Sequence, residues 1–216
     1  MIHRISEEIA YRLNENLSWV DTCVGIVKPI TYVSNGESKV IPVYFNTKRD
    51  LCSGADYLSI IPDSSKVSIA YMELNGNPTV SEYNQRGTRF SAEVDLILWF
   101  NYQKINIGMI DNDMLIANVI DNLPERLPND TYNSVFVEVT GSQASNDNIF
   151  DKYSYNQDQQ FTMYPYGSFV INLNVEYTIP KGCITLELAD GGCNLKPIIV
   201  TVENDLIEIP LGVLKY

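Results

Sequence analysis

Between Thr88 and Asn106 the chain alternates with period two, and Phe90, Ala92, Val94, Leu96, Leu98 and Phe100 mark a strand with one buried face. The intervening positions begin polar, at Ser91, Glu93 and Asp95, then turn apolar at Ile97 and Trp99. This strand therefore predicts a core under one face and a second cover over half of the other. The stretch from Gly167 to Ile179 alternates just as cleanly. It sets Phe169, Ile171, Leu173, Val175, Tyr177 and Ile179 against Ser168, Val170, Asn172, Asn174, Glu176 and Thr178.

Elsewhere the period is helical. Ile2, Ile5, Ile9, Leu13 and Leu17 recur at intervals of three and four and predict an amphipathic helix ending near Trp19. A second stripe runs through Leu115 or Ile116, Val119, Ile120 and Leu123, with Asp111 or Asn112 as N-cap and Pro124 just past the end. The β-rich runs from Val24 to Val33 and from Lys39 to Asn46 flank Ser34-Asn35-Gly36, which predicts a hairpin, while Pro29 and Pro42 point to an edge position or bulges. Residues 47–66 read as a long loop. The stretch VSIAYMEL is expected to form a strand paired antiparallel with the 88–106 segment, and NGNPTVSEYNQRG to lead the chain between them.

Two regions fit this frame less well. The tract Gly141 to Gln160 is polar and bears tyrosines. Ordering its backbone costs on the order of 1 kcal/mol per residue, so it is expected to be mobile until a partner orders it. Residues Gly182 to Tyr216 read as three short strands, too few to own a core. The fold class expected is α+β: a mainly antiparallel sheet packed by two helices over residues 1–180, with a β-strand extension over 181–216.

Composition narrows the functional classes. A chain of 216 residues can bury one ordinary core plus a small addition. Its formal charge of −12 argues against sequence-independent binding to nucleic acid or anionic lipid, which require clustered Lys and Arg. No apolar run has the length of a secretory core or a membrane span, so no membrane partner is expected. Cys23, Cys52, Cys183 and Cys193 are scattered and read as reduced structural thiols, in keeping with cytosolic synthesis.

Candidate chemistry is sparse. His3, the sole histidine, falls in the first turn of a helix expected to be exposed, which leaves Ser-His-Asp and Cys-His systems without a base. The cysteines form no C-x-x-C pair for zinc. Asp111 to Asp113 resembles the opening of a calcium loop, but Met114 and Leu115 follow where oxygen ligands are needed, so helix capping is the better reading. Glu93 and Asp95 lie about 7 Å apart along one strand face, a spacing open to a glycosidase pair, although a solvated strand face is commoner. Phosphate-binding glycine loops are absent from the sequence. The glycosylation patterns at Asn16 and Asn129 are chance matches without a secretory signal. No catalytic residue, metal ligand or cofactor is assigned. What stands out is the tyrosine group Tyr132, Tyr153, Tyr155, Tyr164 and Tyr166, a residue type favoured at protein interfaces although ordinary in loops.

In order, the elements are an N-terminal helix, a hairpin, a strand pair leading into RFSAEVDLILWF, the helix NDMLIANVIDNLP and the closing strand FVINLNVEYTI. This arrangement resembles the tail-terminator, or tail-completion, family of tailed bacteriophages, whose members also serve as neck rings. The resemblance covers residues 1–180 and rests on element order and two strand patterns, not on an invariant motif. The tract Gly141 to Gln160 and the extension from Gly182 depart from it, and would suit an elaborated neck such as that of large crAss-like podoviruses.

The resemblance implies a non-enzymatic virion protein of the neck or tail that forms a homo-oligomeric ring of six or twelve copies. Its neighbours would be portal, neck or tail proteins, and DNA would pass through without specific binding, which the acidic balance suits. Ile97 and Trp99 would then be covered by an adjacent subunit or by the C-terminal extension, and Tyr153, Tyr155, Tyr164 and Tyr166 become candidate contacts. The alternative for the Ile97 and Trp99 face is that the first helix covers both patches within a monomer. A competing functional expectation is a glycan-binding, adhesin-like module using exposed tyrosines and asparagines. An enzyme working through acidic residues alone is a third.

Overall fold

The computed structural model describes residues 1–34, 36–45, 58–85, 87–105, 111–127, 135–144, 149–154, 161 and 163–181. The described elements, in chain order, are α1 (Ile2–Asn16), β1 (Cys23–Ser34), β2 (Glu37–Tyr44), β3 (Leu58–Ser59), β4 (Ser68–Tyr83), β5 (Gly87–Asn101), α2 (Asn112–Asn122), β6 (Phe136–Gln143) and β7 (Tyr166–Pro180). The strands form one seven-stranded sheet in the order β3-β2-β1-β4-β5-β7-β6. Every pairing is antiparallel except the short one between β1 and β4. The class is α+β. The β extension expected over 181–216 and the Tyr132 and Tyr155 positions lie outside the described residues, apart from Lys181.

The alternation of β5 is realised as read. Ala92, Val94, Leu96, Leu98 and Phe100 join Phe169, Ile171, Leu173, Val175 and Tyr177 of β7 in the larger core. Both helices lie on this face: α1 contributes Ile2, Ile5, Ile9, Ala10 and Leu13, and α2 contributes Leu115, Ile116 and Val119. Gly25 of β1 allows α1 to come close, because a Cβ there would lie 2.8 Å from the Ser6 hydroxyl oxygen. That hydroxyl instead accepts a hydrogen bond from the Ile26 N–H at 3.1 Å. After the helix, which stops at Asn16 and not near Trp19, the Asn14 side-chain amide pairs both ways with the backbone of Cys23, each bond 2.8 Å. Trp19 then donates its indole N–H to Asn118 of α2 and meets Phe100 edge to face, tying the two helices together.

The hairpin β1–β2 closes through Ser34↔Glu37, with Gly36 at φ +81°, a value that glycine adopts without strain. Pro29 faces Pro42 in this ladder. Counting in twos from the closing pair places both at a non-hydrogen-bonded site of this ladder, so neither missing N–H removes a bond between β1 and β2. In β4 the strand does not stop at Leu74: it runs on to Tyr83, passing a register shift between Asn75 and Thr79 where Gly76 takes φ +78°. The segment expected to be a connection is thus the outer half of a long strand, and a glycine-bearing irregularity lets the pairing resume beyond it.

Candidate interaction surface

The second face of the sheet is set by the partners of β5. Reading across register, its rows are Ile69, Trp99 and Ser168; then Tyr71, Ile97 and Val170; then Glu73, Asp95 and Asn172; then Asn75, Glu93 and Asn174. The face is apolar in its first two rows apart from the buried Ser168, and polar in the next two.

The apolar half is covered by the chain itself. Ile97 is 3% exposed and Trp99 1%, in a second cluster with Val24, Val27, Ile60, Ile149, Phe150 and Tyr153. Trp99 stacks on Tyr166 with ring centroids 5.0 Å apart, and its indole N–H donates to the Phe161 carbonyl at 2.8 Å. Ile97 and Trp99 are thus buried without an adjacent subunit, and the alternative cover, helix α1, packs on the opposite face; the C-terminal extension lies outside the described residues. Residues 149–154 form a strap across the sheet, which also corrects the picture of a tract wholly without internal order. The physical reason is local: Ile149, Phe150 and Tyr153 concentrate apolar area in six residues. At about 2 kcal/mol for each buried side chain against about 1 kcal/mol per ordered residue, the two sums nearly cancel.

Polar contacts tip that balance. Glu73, only 5% exposed, accepts a hydrogen bond from the Tyr153 hydroxyl on one carboxylate oxygen and an ion pair from the Lys152 ammonium on the other. The Val40 N–H donates to the Ser154 hydroxyl oxygen at 2.7 Å, anchoring the strap to β2. Apart from Tyr153, these residues were not singled out in the sequence. The usable signals were Glu73 following Ile69 and Tyr71 on the same strand face, and three apolar residues grouped in NIFDKY.

In the polar half, the Asp95 carboxylate accepts one amide on each oxygen, from Asn75 and from Asn172, both at 2.7 Å. Ser91 donates to the Asn174 side-chain carbonyl at 2.7 Å. Glu93, beside them, is exposed. The Glu93 and Asp95 pair therefore sits in a solvated amide ladder, with both Asp95 oxygens engaged.

Of the other sequence candidates, Tyr153 is buried and presents no contact surface, and Tyr166 is half-buried against Trp99. Tyr164 does present one, at 77% exposure. Apolar surface also collects at the β6 edge, where Phe136 and Val139 are part-exposed beside a groove that Ile120, Leu123 and Arg126 help to line. The Arg126 guanidinium lies 4.8 Å over the Phe136 ring.

His3 is half-buried, not fully exposed as expected. Burial, reinforced by Lys28, lowers its pKa and favours the neutral ring. Burial pushes the Cys23 thiol up to about 12, so it stays a thiol. Tyr44, half-buried and donating to Glu7, is also raised, by desolvation first. Asp111 is the N-cap of α2 but makes no side-chain cap bond; Asn112 instead accepts from the Tyr102 hydroxyl. Among the described residues, no group of three or more His, Cys, Asp or Glu side chains could hold a metal ion, and no helix is long and apolar enough to cross a membrane. No protein-family model matches the chain, and no curated protein matches it.

Proposed function

We propose that this chain is a structural subunit of a homo-oligomeric ring in the neck or tail of a tailed phage, docking portal, neck or tail proteins around a DNA conduit. The observation that carries the reading is the placement of both helices on one face of a mainly antiparallel sheet, in an element order that resembles the tail-terminator family. That placement leaves polar side chains such as Asn75 and Glu93 exposed on the other face, and apolar side chains part-exposed along the β6 edge. A rigid sheet with its helices on one side can serve as a wall element, and heterologous contacts between such elements close into rings. The acidic charge keeps a passing polyanion from sticking.

Light scattering across a concentration series, with negative-stain images of the same sample, tests the reading. Annular particles of six or twelve chains support it. A monomer that stays a monomer at high concentration and binds no neck or tail protein overturns it.

A second reading, a glycan-binding module, draws on one feature: Asn75, Asp95, Asn172 and Asn174 array amides and a carboxylate on open sheet surface, groups suited to sugar hydroxyls. A glycan array without signal sinks it.

A further inference from the structure

The strap over the second face has the construction of a latch. Its underside, Ile149, Phe150 and Tyr153, rests on Tyr71, Ile97, Trp99 and Val170, in a cluster separate from the core that holds both helices. Lifting it leaves that core intact. Two of its polar attachments meet on one residue, Glu73, whose carboxylate takes the Tyr153 hydroxyl on one oxygen and the Lys152 ammonium on the other.

Glu73 has a second neighbour of consequence. In register it faces Asp95, whose charge is held by the Asn75 and Asn172 amides. With a carboxylate opposite and little solvent access, Glu73 depends on the two donors from the strap. Opening returns the Glu73 carboxylate to water but breaks the hydrogen bond and the ion pair that offset its burial, so these two contacts hold the closed form. The Ser154 contact to Val40 adds a neutral bond at the strap's far end, and Tyr153 packs edge to face on Tyr71 at 6.4 Å.

We propose that residues 149–154 open and close as a unit over the Trp99 face, apart from global unfolding, and that Glu73 is the latch that holds them closed. The open form bares Tyr71 and its apolar neighbours. The proposal is independent of the ring reading, since it concerns the single chain.

Hydrogen exchange of the full chain, followed by mass spectrometry, separates local from global opening. In the wild type, peptides covering 149–154 should exchange faster than peptides covering 92–100. Glu73→Gln should raise exchange in 149–154 by about tenfold or more, the range lost with hydrogen bonds to a charged group, and leave 92–100 within about twofold. Lys152→Gln, at a half-exposed residue, and Tyr153→Phe should each give part of the effect; they carry the comparison if Glu73→Gln does not fold. Equal acceleration of both regions overturns the proposal, because the strap would then open only with the whole molecule. Unchanged exchange in 149–154 overturns it too, because Glu73 would hold nothing.

Discussion

The two faces of the central sheet are built from alternate residues of the same strands, yet they are completed differently. On one, β5 and β7 present apolar side chains along their full length, and two amphipathic helices with their own hydrophobic stripes fill the space. On the other, the apolar rows end at Ile97 and Val170, and the cover is pieced together from a six-residue strap out of a polar tract, with Ile60 and Phe161 beside it. Where two regular elements each carry an unsatisfied apolar stripe, packing follows from pattern alone. Where the cover is irregular, its stability rests on a few side chains and a single buried carboxylate.

The largest expected effect falls on the first face. Leu96→Ala, at a fully buried position among both helices, should cost about 3–5 kcal/mol in a denaturant titration of global unfolding. Gly167→Ala comes next, because an added Cβ would lie 2.8 Å from ring carbons of Phe100 and Tyr102. Overpacking of this kind should lower stability by about 1–3 kcal/mol.

Phe150→Ala removes as large a side chain from the second face, and in a uniformly cooperative molecule it would rival Leu96→Ala. Because its loss is limited to the stability of the strap, the global midpoint should move less than half as far. A shift equal to that of Leu96→Ala would erase the contrast between the faces.

The smallest effect concerns pH. His3 has its pKa lowered in the folded state, by burial first and by Lys28 next. Near neutral pH both states hold a neutral ring, and no stability is at stake. As pH falls below the ordinary histidine value of about 6.5, the unfolded chain takes up the proton before the native one, so native stability declines. His3→Gln should flatten this decline in thermal midpoints compared at about pH 7.5 and about pH 5.5.

Much of this architecture was legible in order. Strand faces, helix stripes and the hairpin turn are local properties, written at spacings of two, three and four residues, and β5, β7, α1 and α2 take those positions. The extension of β4 to Tyr83 was not legible, because its outer half shows little alternation and contains Pro78 and two asparagines beside Gly76. Pairing with an already formed β5 supplies the order that local pattern lacks. The strap was missed for a related reason: average polarity over 141–160 hid three apolar residues whose value depends on the floor beneath them. Of the candidate contacts, Tyr164 is placed at the surface, whereas Ile97, Trp99 and Tyr153 are placed in the interior.

The sequence by itself determined which residues share a face, because side-chain direction follows from backbone period and needs no knowledge of the rest of the fold. It also determined that Ile97 and Trp99 required a cover. Tertiary structure alone decided which segment provides it and that Glu73 is buried beneath it. Those outcomes depend on contacts between residues about 80 positions apart, such as Glu73 and Tyr153, whose formation no local spacing encodes.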